Sequence, residues 1–272
     1  MAVEFTMHNV VLPDGTQTFP QNPVIDQVPA VQGMLATALD MCPIEDPEHP
    51  PRLIDLGCLE GGHSAMYARA GYDVTGLEVR AKNVEACEYV REQLGLPNLR
   101  FVQDDVRNLA DHGEFDVVHC AGLLYHMENP SELLALIGQQ TRRLLILRTH
   151  YAPIDPKTTP FGNLGDWMLH EGRIGRTFFE FPEGTTAEQM QDLKWASWGN
   201  PASFWLERKQ LMQAMQDAGF DLVYEQHDTR GDIANATFDD YQSLGVFIGV
   251  KSHAQIPRNV EPPKPLVAAA EG

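Results

Sequence analysis

The sequence predicts an α/β fold, a doubly wound and mostly parallel sheet with helices on both faces. Three observations carry this expectation. From residue 52 to residue 150, short apolar runs of strand length alternate with segments of helical spacing. The first run, "RLIDL" (52–56), passes straight into a cluster of glycines. A second helix–strand pair and a further apolar run close the chain. Repeated strand–helix units of this length imply a parallel sheet covered on both sides.

Taken in order, residues 1–25 read as an irregular leader with a turn at Pro13-Asp14-Gly15. Val31, Met34, Leu35, Ala38 and Leu39 recur at helical spacing, and the proline-rich "CPIEDPEHPP" ends that helix. "RLIDL" is a short buried strand, and "HSAMYARAG" a helix stopped by Gly71. "YDVTGLEV" is a strand, followed by a helix over residues 81–94 that carries Val84, Cys87, Val90 and Leu94. "LRFVQ" and "FDVVHCA" are strands, "SELLALIGQQ" a helix and "RLLILRTH" another strand. Leu211, Ala214, Met215 and Ala218 line one face of the last helix, which Gly219 ends. "FDLVYEQ" and "SLGVFIGVKS" are the final strands.

Between residues 151 and 206 the rhythm breaks. This stretch holds all four tryptophans (Trp167, Trp195, Trp198, Trp205) together with Phe178, Phe179, Phe181 and Phe204. So long a segment inside a compact domain has structure or function of its own, and it is expected to fold over the carboxyl edge of the sheet. Residues 1–254 therefore read as one domain containing this insert, and residues 255–272, rich in proline, as an extended or disordered tail.

Of 272 residues, 43 % are hydrophobic and 21 % charged, an ordinary balance for a chain with a sizeable core. No apolar run approaches the roughly 18 residues of a membrane helix, and the start lacks a signal-peptide pattern. A soluble cytoplasmic protein without a membrane partner is expected. Cys42, Cys58, Cys87 and Cys120 show no paired metal spacing and read as reduced core thiols. The net charge is −18, and the densest basic pair is Arg142–Arg143, which directly precedes a buried strand. Nucleic acid is a poor partner for such a chain, because polyanion binding relies on clustered cations.

In a doubly wound sheet, ligands bind outside the carboxyl ends of the strands. Gly57, Gly61 and Gly62 stand there, where glycine allows unusual backbone angles and close approach of a ligand. A plain tight turn is the alternative; the strand before and helix after favour a ligand loop. The spacing is not the G-x-G-x-x-G of a dinucleotide loop, and Asp55 lies inside the strand end, where such a loop is usually apolar. Glu78 ends the second strand about 20 residues past the first glycine, the place of an acid that binds two ribose hydroxyls. Asp105, in "FVQDDVRN", can accept from an adenine amino group while the Val106 amide reaches the ring. Its neighbour Asp104 can instead cap the following turn.

An acid before a glycine loop, an acid after the second strand and an aspartate after the third form one constellation. It resembles the class I S-adenosylmethionine-dependent methyltransferases over most of residues 52–150, and more weakly in the closing helix and strands. The resemblance implies a seven-stranded Rossmann-like methyltransferase fold, a lid insert before the last helix and S-adenosylmethionine as cofactor. It assigns Asp55, Gly57, Cys58, Leu59, Gly61 and His63 to the loop around the methionine part, and Glu78 with Val79 to the ribose. Asp105 and Val106 fall at the adenine, and Ala121 and Gly122 present backbone near the reactive methyl. Leu59 stands where the D-x-G-x-G-x-G pattern has its middle glycine, a departure that narrows the loop.

Tyr125 and His126, in "CAGLLYHMENP", stand near the transfer path in the resembling family. The L-Y-H element and the closing segment are similar to the tRNA wobble-uridine carboxymethyltransferases and related small-molecule enzymes, whose basic RNA-binding surface is not evident here. Methyl transfer needs alignment of the acceptor and, for a hydroxyl, removal of a proton. Histidine suits that task near neutral pH, and His126 and His150 both lie on this edge. Each could instead pack or pin a loop. His8, His49, His112 and His253 receive no role. The aromatic insert reads either as a small core or as a lid over an aromatic, apolar or cationic acceptor. No metal-ligand spacing occurs. The leading expectation is methyl transfer to a small molecule. The alternatives are a tRNA-modifying enzyme and a catalytically silent partner subunit.

Overall fold

The computed structural model describes residues 3–155, 162–192, 196–227 and 243–252. After the leader, helix α1 (Pro29–Met41) buries Val31, Met34 and Ala38, with Pro29 in its first turn, where no intrahelical donor is lost. Strand and helix then alternate through β1 (Arg52–Leu56), α2 (Gly62–Arg69), β2 (Asp73–Glu78), α3 (Ala81–Leu94), β3 (Leu99–Gln103) and β4 (Phe115–Ala121). Helix α4 (Pro130–Gln140) leads directly into β5 (Thr141–His150). The insert contributes β6 (Leu164–His170), β7 (Arg173–Phe179), the short helix α5 (Ala187–Asp192) and β8 (Ala202–Leu206). Helix α6 (Arg208–Asp217) and strands β9 (Leu222–Gln226) and β10 (Leu244–Val250) complete the fold.

The expected seven-stranded sheet is present, in the order β3-β2-β1-β4-β5-β10-β9. β1 to β5 are parallel, and β10 runs antiparallel between β5 and β9. Successive side chains of the central strands face opposite layers. Leu145 and Leu147 pack with Leu133 and Ile137 of α4 and with Leu211 and Met215 of α6. Leu144 and Ile146 pack with Met34 of α1, Tyr67 of α2 and Val90 of α3. Burial on both faces is why these strands read as nearly continuous apolar runs. The strand order reverses between β1 and β4, which opens a crevice at their carboxyl ends.

The insert has structure of its own, and the leader departs from the expectation of an irregular segment. The insert forms its own antiparallel sheet in the order β6-β7-β8. Its first hairpin turns on Glu171 and Gly172, both with positive φ (49° and 73°), the backbone of a two-residue turn matched to strand twist. The leader is tied down: Asn9 bridges to Val24, and Val10 and Leu12 are buried. Trp195 and the tail 255–272 lie outside the described residues. Among the described residues, no helix is long and apolar enough to cross a membrane.

Candidate active site

A cavity of about 760 Å³ opens at the crevice. Gly57 and Leu59 from the loop after β1, Glu78 and Val79 after β2, and Asp105 and Val106 after β3 line one part of it. Ala121 and Gly122, ending β4, and Tyr125 and His126 in the turn beyond line another part. His63 from α2 also faces it.

Each acid of the glycine-loop side has defined partners. Glu78 is 4 % exposed; its Oε2 accepts from the Leu59 N–H (3.0 Å) and its Oε1 from the Arg80 N–H (2.9 Å). Burial raises its pKa from the ordinary glutamate value, against the pull of Arg80. Asp105 caps the short helical turn that follows it, accepting from the Arg107 N–H and pairing with the Arg107 guanidinium. The cap is thus Asp105 and not Asp104. The Asp104 carboxylate takes the Asp105 N–H, the Asn108 amide and a ring nitrogen of His112.

Four assigned residues are set back from the cavity wall. Asp55 is buried behind the loop, with Oδ2 accepting from the Ser64 hydroxyl (2.6 Å) and Oδ1 2.7 Å from His119 Nδ1. Burial works to raise its pKa. The charge and hydrogen bond of His119, helped by His63 and Ser64, outweigh that and hold it at about 2. The Cys58 thiol lies 3.8 Å from that of Cys87, and its N–H bonds to Leu77. Gly61 has φ 75°, and a Cβ there would meet the Phe101 ring at 2.7 Å, so protein and not ligand fills the space its missing side chain leaves. His150 stacks on Trp205 (4.8 Å, 10°), and its Nδ1 lies 2.9 Å from the Ser243 carbonyl. Burial depresses it to about 4.

Leu59 adopts φ 53°, the backbone a glycine would take freely. Its N–H is fixed by Glu78, and its carbonyl accepts from the Cys87 thiol (3.2 Å). The departure from the glycine pattern therefore keeps the loop's path and places a leucine side chain at the cavity.

Sequence reasoning missed the leader and two buried side chains. Glu60 is fully buried and accepts from the N–H groups of Thr6, Met7 and His8 and from the Thr6 hydroxyl. Met7 and His8 consequently border the cavity, and His8 Nδ1 accepts from the Gly62 N–H (3.0 Å). The rings of His8, His63 and His119 follow one another at 5.1 Å spacing. Alternation marked His119 only as a strand residue.

Across the cavity, His126 Nδ1 lies 3.0 Å from both carboxylate oxygens of Glu180, a residue of the insert. Glu180 also accepts from the Ser203 hydroxyl (2.5 Å) and the Ser197 N–H (3.3 Å). Bonding at Nδ1 leaves Nε2 as the nitrogen available to a bound molecule. Residues 196–200 border the same space, held by Arg80, whose guanidinium donates to the Ala196 and Ser197 carbonyls and lies 5.2 Å from the Trp198 ring. Trp205 is instead buried between Phe178 and His150, and its Nε1 donates to the Tyr125 carbonyl (2.9 Å). It supports the Tyr125-His126 turn from behind. Among the described residues, no group of His, Cys, Asp and Glu is arranged to hold a metal ion.

Curated relatives match the chain over limited stretches. It is similar to the ubiquinone biosynthesis O-methyltransferase of Psychrobacter cryohalolentis, 36 % identical over 86 residues, covering 30 % of this chain and 34 % of the relative. The enzyme of the same name from Proteus mirabilis is 33 % identical over 85 residues, with 30 % and 34 % covered. The match thus spans about a third of the length of these relatives. Among solved structures, the N-terminal domain of EvdMO1 with SAH bound superposes with a TM-score of 0.61 at 25 % identity, covering 84 % of this chain and 82 % of that one. Magnesium protoporphyrin IX methyltransferase of Synechocystis shares the fold, with a TM-score of 0.53 at 18 % identity and 82 % of each chain covered. The family described as "Methyltransferase domain" matches residues 31–225, from α1 into β9, the span that holds the crevice, the glycine loop and the whole insert; the chain belongs to that family.

Proposed function

We propose that the protein is an S-adenosylmethionine-dependent methyltransferase acting on a small molecule. One observation carries the reading: the buried Glu78 carboxylate at the cavity, across from the left-handed backbone of Gly57. Each Glu78 oxygen accepts one backbone donor and keeps a lone pair for a further donor, as two ribose hydroxyls require. Asp105 and Val106 stand next along the sheet edge, where the adenine falls. A cavity of about 760 Å³ lies within the ~300–1,000 Å³ of small-molecule sites. These residues fit the cofactor. When bound, it supplies an electrophilic methyl group on a sulfonium.

The chain's own residues then bind, align and remove a proton. Gly57, Leu59 and His63 surround the amino-acid end, with Asp55 holding the loop from behind through Ser64 and His119. Leu123, Met127, Leu133 and Leu136 give the remaining wall an apolar surface that suits an aromatic or aliphatic acceptor. His126, oriented by Glu180, takes the proton of an acceptor hydroxyl at Nε2. Residues 196–200 act as the cover that keeps water out, latched by Arg80. We place the reaction in the cytoplasm, in keeping with four buried free thiols. The resemblance to the tRNA wobble-uridine group rests on the L-Y-H element and the closing segment, and a net charge of −18 gives no support for RNA as substrate.

Calorimetry with S-adenosylhomocysteine, the demethylated cofactor, tests the reading. The wild type should bind it, and Glu78→Ala should weaken binding at least ~10-fold, as loss of charge-assisted bonds implies. Preference for NAD would overturn the assignment.

A further inference from the structure

Three arginines border the cavity, and their engagements differ. Arg107 is paired with Asp105. Arg80 is committed to the carbonyls of residues 196 and 197. Arg148, near the carboxyl end of β5, has no carboxylate or hydrogen-bond acceptor on its guanidinium among the described residues. Its backbone is fixed: it sits in register with Ala121, and its carbonyl accepts from the Gly122 N–H (3.0 Å). Burial lowers its pKa, so the charge is held there at some cost. Tyr125, His63 and His150 all feel it electrostatically. A guanidinium presents a fork of five N–H donors suited to a carboxylate. A partly buried cation aimed into a ligand cavity is a functional arrangement before it is a structural one.

We infer that Arg148 binds an anionic group, a carboxylate, on the methyl acceptor. The inference rests on the cofactor reading above and deepens it. Position selects the acceptor over the cofactor's own carboxylate. The residues read for the cofactor's ribose and adenine lie at the ends of β2 and β3 and those for its amino-acid end after β1 and on α2, with Ala121 and Gly122 at the end of β4 beside the methyl, whereas Arg148 lies on β5, beyond β4 from the amino-acid end. It shares that side with Tyr125 and His126. Glu128 and Glu132 also border the cavity, so without Arg148 an acidic ligand would meet repulsion there. The same charge disfavours a cationic acceptor, one of the kinds the aromatic insert suggested. An acceptor with a carboxylate and an apolar or aromatic body is what Arg148, Leu123, Met127 and Leu136 together recognise.

The test uses the full chain saturated with S-adenosylhomocysteine, and benzoate and 3,4-dihydroxybenzoate paired with their carboxamides. Calorimetry should show each acid binding at least ~10-fold more tightly than its amide, in line with a charge-assisted bidentate contact. Arg148→Met should level each pair while changing S-adenosylhomocysteine affinity less than twofold. Arg148→Lys, which keeps the charge without the fork, should retain a reduced preference and serves if the methionine variant does not fold. Equal binding of acid and amide by the wild type, or an undiminished preference in both variants, overturns the inference. So does a tenfold loss of S-adenosylhomocysteine affinity in Arg148→Met with its decarboxylated analogue unaffected, because Arg148 would then serve the cofactor. Failure of the wild type to bind S-adenosylhomocysteine at all would remove the cofactor reading first, and this inference with it.

Discussion

The Asp55–His119 and Glu180–His126 pairs share one chemistry, a carboxylate against a histidine Nδ1, at 2.7 and 3.0 Å. Their surroundings differ. His119 is fully buried, and its Nε2 has no hydrogen-bond partner among the described residues. Asp55 spends its second oxygen on Ser64, so the pair closes on itself behind the glycine loop. His126 is 15 % exposed and borders the cavity, while its carboxylate is 2 % exposed and held by two serines. A histidine–carboxylate pair is therefore no mark of catalysis by itself. What the second ring nitrogen can reach decides between a strut and a base.

The largest effect should separate the pairs by what each loses. With a hydroxyl acceptor, His126→Phe should lower kcat by ~10²–10⁴, the usual worth of general-base assistance, and leave S-adenosylhomocysteine affinity within twofold. Glu180→Gln keeps a hydrogen-bonding shape but withdraws the charge that favours imidazolium, so its loss should be smaller and its pH–rate profile altered. Near-normal turnover in His126→Phe would make His126 an orienting side chain, and the contrast with His119 would collapse.

The next effect belongs to the strut. Asp55→Ala leaves His119 buried beside an empty space and should cost ~3–5 kcal/mol of stability, as broken buried pairs do. The pH dependence carries the sign. Asp55 has its folded value depressed to about 2, so its contribution is complete above the unfolded value near 4 and is lost as pH falls toward 2. His8 and His63 are lowered by burial, so they bind protons more readily when unfolded. Their share of stability is present above about pH 6.5 and declines below it. Chemical denaturation should thus show two acid steps, one starting below neutrality and one below pH 4. Asp55→Asn should shrink the lower step, to which the depressed Asp104 and Asp105 also contribute, and spare the upper.

The same contrast explains what the sequence disclosed. Asp55, Glu78 and Asp105 were legible because each stands at or just past the carboxyl end of a strand that the topology commits to the crevice. The Tyr125-His126 turn was legible for the same reason. His119 was not, because a histidine inside "FDVVHCA" follows the strand's alternation and its partner is 64 residues away. The leader carries no periodicity; its place depends on Glu60, an acid within the glycine loop that reaches 52 to 54 residues back. The insert's sheet had one local signal, the Glu171-Gly172 turn between runs of strand-forming residues. Trp205 and Trp198 look alike in sequence, yet one is buried against His150 and the other borders the cavity with Arg80. Only packing distinguishes them.

The smallest effect concerns Leu59, on the same side as Asp55 and His119. A left-handed backbone costs a non-glycine residue roughly 1–2 kcal/mol, and Leu59 holds φ 53°. Glycine would relieve that strain, but it adds about 0.5–1 kcal/mol of unfolded-state entropy and removes a half-buried side chain. The terms nearly cancel, so Leu59→Gly should change stability by less than ~1 kcal/mol. Leu59→Ile keeps the volume but sets a β-branched side chain on the same φ, where such residues are true outliers. It should lose stability relative to both leucine and glycine, and weaken S-adenosylhomocysteine, because the loop must shift and take the Leu59–Glu78 bond with it. Denaturation curves and calorimetry on the two variants give the ranking. If isoleucine matched leucine in both, the loop would not require this backbone, and the Glu78 contact would no longer be what fixes the glycine-loop side.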